Sequence, residues 1–334
     1  MTETVRLVGV ASSLPEYKRS SDEVDELLSR SGGFKPRRGL IQAMSGIRER
    51  RVAADDEHCS DLAADACRKV LASSNVDKAD VDLLIFASAG QDLTEPATAH
   101  ITQSKLGTKA AVFDLKNACN SFLNGMQVAE SLILGGSYKT VLLATGEVSS
   151  RVISWRPKNL RDFKSCMPGY TVGDAGAAAL LVRSDDKRGI FYRKFSSHSE
   201  YWDLTTVDGG GSRYPQGDHF YLRSNAPELK VAFREIGLPF VKLAMQEANA
   251  KFSDFKRIFV HQVSLPYLYD MLEESDIPAD QVEVTIEFLG NMAAASIPVA
   301  MAQAFERGAI ERGDRIMCLG LASGISIGAV MIDL

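Results

Sequence analysis

The chain lacks any run approaching the roughly 18 apolar residues that a membrane-crossing helix needs, and no apolar segment follows a basic start near residue 1. A soluble, cytoplasmic protein without a membrane span is the expectation. Basic excess is also missing. At a formal charge of −5 there is no electrostatic ground for a nucleic-acid partner, because phosphate binding relies on clustered cations. The five cysteines form no C-x-x-C pair, and His58, His100, His198 and His219 have no metal-ligand spacing, so reduced thiols and no metal are expected. With 334 residues of ordinary globular composition, the chain is long enough for two core-forming halves.

Hydrophobic patterning gives an α/β reading. Short buried strands are expected at 5–10, 83–87, 111–113, 140–144 and 177–182, with helices at 62–71, 97–106 and 122–134 between them. The charged stretch 183–188 marks a boundary, which divides the chain into halves at 1–184 and 185–334. The second half repeats the order, with strands at 190–195, 257–261, 282–286, 315–319 and 326–332 and helices near 228–250, after Pro266, and at 293–306. Each half ends in a glycine-punctuated hairpin, at 172–179 and 321–328, so a duplicated α/β unit follows. Ser20 and Glu23 have the spacing of a capping box opening a helix to about Arg30.

The cysteines differ in their settings. Cys67 lies in an apolar helical pattern and Cys318 in an apolar strand, where free cysteine acts as a small core hydrophobe. Cys59 and Cys166 lie in polar segments and read as incidental. Cys119 stands where the strand near 111–114 gives way to an apolar helix. Open N–H groups and the positive end of a helix dipole would favour its thiolate there. Downstream, His261 ends an expected strand and Asn291 precedes an expected helix. In open α/β folds these are the ends at which ligands bind.

Gly46-Ile47-Arg48-Glu49-Arg50-Arg51, Asn117-Ala118-Cys119, Gly173-Asp174-Ala175-Gly176, His261-Gln262 and Gly290-Asn291-Met292-Ala293 occur in that order. In this set the chain resembles the thiolase-fold condensing enzymes of the ketoacyl-ACP synthase III family over nearly its whole length. The resemblance implies a homodimer with a duplicated five-layered αβαβα core, acylation of Cys119, and His261 and Asn291 as its partners. It also implies coenzyme A or phosphopantetheine thioesters as substrates, an acyl carrier protein among the partners, and no permanently bound cofactor. An acyl thioester attacked by sulfur needs oxyanion donors, for which the backbone N–H groups of Cys119 and Ser323 are expected. An imidazole and an amide at His261 and Asn291 would stabilise the enolate of a second thioester, the imidazole kept neutral by burial.

The stretch Leu93-Thr94-Glu95-Pro96-Ala97-Thr98-Ala99 is similar to a segment of the OleA-type head-to-head acyl-CoA condensing enzymes, in which a glutamate crosses the dimer interface as a base. Glu95 is thus either a general base for Claisen condensation without decarboxylation, or a solvated loop acid ahead of a helix start. The alternatives are decarboxylative condensation with a malonyl thioester, transfer of the acyl group from Cys119 to a hydroxyl or amine, and a non-catalytic subunit. Where fatty acid initiation enzymes clamp adenine, this chain has Leu40 and Met44; Ser264 and Pro266 depart from the family pattern after His261-Gln262. Arg37, Arg38, Arg156, Lys158, Arg161 and Lys164 are expected as substitute cations for a coenzyme A or carrier-protein substrate, with Ser264 beside them. The connection from Trp155 to Gly169 reads as a lid over the acyl site or a dimer-surface loop, and Gly209-Gly210-Gly211 as a flexible turn rather than a phosphate loop.

Overall fold

In the computed structural model, residues 4–185, 188–217 and 219–334 are described. The strand Leu83–Ala87 is buried along its whole length, which requires cover on both faces. Leu83, Ile85 and Ala87 pack with Phe122, Leu123 and Met126 of the helix Ser121–Leu134, while Leu84 and Phe86 pack with Leu62, Ala66 and Val70 of the helix Cys59–Ser74. The period of two along one strand thus generates two helical layers. This sheet runs Thr4–Ser13, Ala175–Ser184, Thr140–Glu147, Leu83–Ala87, Ala111–Leu115 in spatial order. Its first two pairings are antiparallel and its last two parallel.

A second sheet repeats the scheme with Ile190–Ser197, Ser326–Asp333, Arg315–Ala322 and Arg257–Val260. Again two antiparallel pairings are followed by a parallel one. Ile316, Cys318, Val330 and Ile332 face the central layer, where Ile297, Ala300 and Met301 of the helix Ser296–Glu306 lie with Phe122 in one core. Met317, Leu319 and Met331 face outward onto Phe233, Phe240 and Leu268 of the helices Ala226–Glu247 and Leu265–Glu274. Helices, sheet, helices, sheet, helices: the αβαβα layering follows from strand alternation alone.

Two expectations are corrected. The strand at 282–286 is reduced to one parallel bridge, Ile258 to Val282. Beyond it the Gln262 side chain takes the place of a strand partner. Its amide donates to Glu283 O at 2.6 Å, and its oxygen accepts from Thr285 N–H at 3.0 Å and Ile286 N–H at 3.1 Å, where the short helix Ile286–Leu289 begins. Cys59 and Cys166 are buried rather than incidental: Cys59 opens the helix Cys59–Ser74 against Leu62 and Ala63, and Cys166 ends the helix Leu160–Cys166 with Phe163 and Tyr170. The connection from Trp155 to Gly169 is a packed element: it contains the helix Leu160–Cys166, and Phe163, Cys166 and Tyr170 join Val24, Leu28 and Ile41 in a core of their own. Cys67 and Cys318 are core residues as expected. Ser20 closes the capping box, with Ser20 N–H donating to Glu23 at 2.7 Å and Glu23 N–H to Ser20 Oγ at 3.1 Å. Gly209-Gly210-Gly211 lies in the turn between the strands Thr205–Val207 and Leu222–Ser224.

Candidate active site

Cys119 lies in a tight turn just ahead of the helix Ser121–Leu134. Ala118 adopts φ +46°, and the turn is closed by Asn120 N–H to Asn117 O and Ser121 N–H to Ala118 O. Two of the N–H groups nearest the sulfur, those of Asn120 and Ser121, are therefore bound within the turn, while that of Cys119 stays open among the described residues. Burial pushes the Cys119 thiol up to about 12, and the Glu147 carboxylate pushes in the same direction. The residue is half-buried and its own N–H favours the thiolate, but burial of the sulfur and the Glu147 charge outweigh that, so the environment opposes the ready thiolate expected from the helix start.

The turn is fastened to the other half of the molecule. Asn117 and Asn120 both donate to Ser326 Oγ, at 3.0 and 3.1 Å. Asn120 lies so close to the strand Arg315–Ala322 that a Cβ on Gly320 would come within 1.8 Å of its Oδ1. Among the described residues, neither the Cys119 nor the Ser323 N–H donates to a turn or loop carbonyl, and Ser323 occupies the turn between Arg315–Ala322 and Ser326–Asp333. Both proposed oxyanion donors are in this way carried by the segments that Ser326 joins.

His261 follows the strand Arg257–Val260 directly, and its N–H donates to Leu319 O at 2.9 Å on the same neighbouring strand. The ring is buried, and its Nδ1 has no hydrogen-bond partner among the described residues. Burial pushes the imidazole down to about 4, which favours its neutral form at physiological pH. Asn291 is buried ahead of the helix Ser296–Glu306 and bridges to Val172. Its N–H donates to Thr171 O at 2.8 Å, its backbone oxygen accepts from Gly173 N–H at 3.0 Å, and its Oδ1 accepts from Ala293 N–H at 3.0 Å. With the oxygen engaged, the amide NH₂ is the end that can donate to a substrate.

Glu95 is exposed in the loop between Leu83–Ala87 and the helix Thr98–Leu106. It does not cap that helix: both Asp114 oxygens do, accepting from Thr98 N–H at 2.8 Å and Ala99 N–H at 2.7 Å. Within one protomer the structure does not place Glu95 in a buried site. Arg37, Arg38, Arg156, Lys158, Arg161 and Lys164 are all exposed. Their segments meet where Phe34 N–H donates to Pro157 O at 2.7 Å and the Phe34 and Phe163 rings lie 4.8 Å apart. Arg38 is paired with Asp22 at 2.9 Å. Ser264 serves as the cap of the helix Leu265–Glu274, accepting from Tyr267 N–H at 3.3 Å.

Two buried polar residues beside the site received no role from the sequence. Gln262 adjoins His261 and braces the segment leading to Asn291. Glu147 ends the strand Thr140–Glu147 and acts on Cys119. An acid closing an otherwise apolar strand was the available signal for it. No group of three or more His, Cys, Asp or Glu side chains suited to a metal occurs among the described residues, and no described helix is long and apolar enough to cross a membrane.

Comparison with known proteins agrees with this architecture. The family description "3-Oxoacyl-[acyl-carrier-protein (ACP)] synthase III" matches residues 113–199, and that of its C-terminal part matches residues 245–334. Beta-ketoacyl-[acyl-carrier-protein] synthase III of Ruegeria sp. (strain TM1040) is 31% identical over 339 residues, covering 99% of either chain. Among solved structures, Xanthomonas campestris OleA with bound lauric acid and lauroyl-CoA superposes with a TM-score of 0.89 at 25% identity, covering 99% of this chain and 99% of that one. The 3-oxoacyl-[acyl-carrier-protein] synthase III from Aquifex aeolicus VF5 gives a TM-score of 0.84 at 25% identity, covering 99% of this chain and 100% of the other. Matched along both halves, and carrying the duplicated thiolase layering, the chain belongs to the 3-oxoacyl-[acyl-carrier-protein] synthase III family of condensing enzymes.

Proposed function

We propose that this enzyme loads an acyl group onto Cys119 from a coenzyme A or carrier-protein thioester and joins it to a second acyl thioester by Claisen condensation without decarboxylation. In loading, the Cys119 sulfur bonds to the thioester carbonyl carbon, the carbonyl–sulfur bond to the carrier breaks, and the thiol proton ends on the departing sulfur. The backbone N–H groups of Cys119 and Ser323 would hold the transient oxyanion. Glu95, lent across a homodimer interface, then takes a proton from the carbon next to the second carbonyl. His261 and Asn291 donate to the enolate oxygen, the carbanion attacks the acyl carbon, and Cys119 departs as the leaving sulfur.

The observation that carries this reading is a buried His261 whose imidazole is held towards its neutral form, together with a buried Asn291 whose side-chain oxygen is occupied, two groups fitted to donate to developing negative charge. Support for the non-decarboxylating route comes from the loop around Glu95 and from the likeness to OleA, which was solved with lauroyl-CoA. A fatty acyl-CoA is accordingly the proposed donor. A homodimer is supported by the edge strand Ala111–Leu115, which among the described residues pairs on one side only, and by the exposed Leu93. Arg37, Arg156 and Arg161, on segments that meet, are proposed to hold the carrier's phosphates.

The second reading is condensation with a malonyl thioester, as the resemblance to fatty acid initiation enzymes implies; the relatives named beta-ketoacyl-[acyl-carrier-protein] synthase III, that of Ruegeria among them, support it. Acyl and malonyl thioesters offered singly and in pairs separate the two. Product from two acyl-CoA molecules, lost in Glu95→Ala while Cys119 still loads, supports the first. Strict dependence on a malonyl thioester contradicts it.

A further inference from the structure

One buried carboxylate gathers segments that the chemistry above requires to be held together. Glu147 is 1% exposed. Its Oε1 accepts from Ala89 N–H at 2.7 Å and its Oε2 from Gly90 N–H at 3.0 Å. The turn Ala293–Ala295 after Asn291 packs against the strand Thr140–Glu147, and the N–H of Ala294 there favours the charged carboxylate. The Ser88 hydroxyl stands 2.8 Å from Oε1 and 2.7 Å from Gly146 O, and its single proton serves one of them at a time. No lysine or arginine lies within ion-pair distance of Glu147 among the described residues.

Burying a carboxylate without a cation costs several kcal/mol unless N–H groups replace water. Backbone donors to both oxygens do so here, and a glutamine could not copy the arrangement. Its NH₂ would have to face one of the N–H groups. The packing is close: a Cβ on Gly90 would stand 3.1 Å from Cys59 Sγ and 3.2 Å from Glu147 Oε2, so any larger residue would press on both neighbours.

We propose that Glu147 is a positioning residue for condensation: it ties residues 88–90, which lead to Glu95, and the turn that follows Asn291 to the strand end beside Cys119. The proposal rests on the condensing function above. Its consequence is specific to one step. Loading requires the sulfur and its oxyanion donors, whereas condensation also requires Asn291 and the loop of Glu95 in register, and a misplacement of about 1 Å there lowers a rate by about 100-fold.

The experiment compares two steps in the full-length enzyme. Loading of Cys119 by an acyl-CoA is followed by intact-protein mass spectrometry, and condensation by product formation from the thioester pair that the wild type accepts. Glu147→Gln removes the charge that raises the Cys119 thiol, so it is expected to load no more slowly than wild type while condensing about 30-fold or more slowly. Ser88→Ala, which leaves the carboxylate and its backbone donors in place, is the milder variant, with an expected loss of about two- to fivefold in condensation alone. Equal losses in loading and condensation, or condensation by Glu147→Gln within about threefold of wild type, would overturn the proposal. If Glu147→Gln does not fold, a Ser88→Ala variant unchanged in both steps overturns it. A wild-type enzyme that loads Cys119 but joins no pair of thioesters defeats the condensing function itself, and the positioning role with it.

Discussion

The side-chain amide of Asn120 donates to Ser326 Oγ at 3.1 Å, so the turn bearing the nucleophile in one half is bolted to the first residue of the last strand in the other. Asn117 donates to the same oxygen at 3.0 Å. Ser326→Ala leaves two amide groups without this acceptor in a buried setting, which costs about 1–3 kcal/mol. Urea unfolding should show that loss, and acyl loading of Cys119 should slow with it. A variant as stable and as readily loaded as wild type would contradict the coupling.

Gln262 does for the Asn291 side what Ser326 does for Cys119. Gln262→Leu removes three buried hydrogen bonds at once, to Glu283, Thr285 and Ile286. The expected destabilisation is about 2–4 kcal/mol, from unpaired backbone groups that no water reaches. Condensation should fall further than loading. Denaturant titration combined with the two-step assay checks both, and an unchanged unfolding midpoint would refute the brace.

The layered fold was legible because its strands are short apolar runs covered on both faces, a pattern that survives weak identity between the halves. Strand 282–286 was misread because Val282-Glu283-Val284 alternates like a strand. The competing partner was a side chain, Gln262, which no local pattern announces. Cys119, His261 and Asn291 could be picked out since each sits at an element boundary. The state of the sulfur could not be, because it depends on burial and on Glu147, a residue 28 positions away in sequence. Glu95 was legible as a motif only, and within one protomer it is exposed.

Glu130 gives the fold a pH dependence of definite sign. It is buried on the central helix, 2.9 Å from Arg193 on the second sheet, and burial raises its carboxyl from 4.5 to about 7. The folded protein keeps this proton where the unfolded chain has lost it. Stability from this group is therefore full below pH 4.5 and is lost as pH rises through about 7. With solvent screening at the partly exposed Arg193, the effect is on the order of 2 kcal/mol. Unfolding free energies at pH 5 and pH 8 should differ by that much more in wild type than in Glu130→Gln; equal differences would refute the assignment.

His261 behaves in the opposite sense. Its imidazole is lowered from 6.5 to about 4, so the unfolded chain binds the proton first, and stability from this group is present above pH 6.5 and lost as pH falls through about 4. The ring should accordingly show no titration between pH 7 and 5 by NMR. A midpoint near 6.5 would mean that the site is wetter than its packing implies.

Acylation of Cys119 tests the central claim most directly. After incubation with a fatty acyl-CoA, peptide mass spectrometry should find the acyl mass on the peptide containing Cys119 and no adduct in Cys119→Ala. An undiminished adduct in the variant, or a wild-type enzyme that consumes the thioester without ever carrying the acyl group on Cys119, would contradict it.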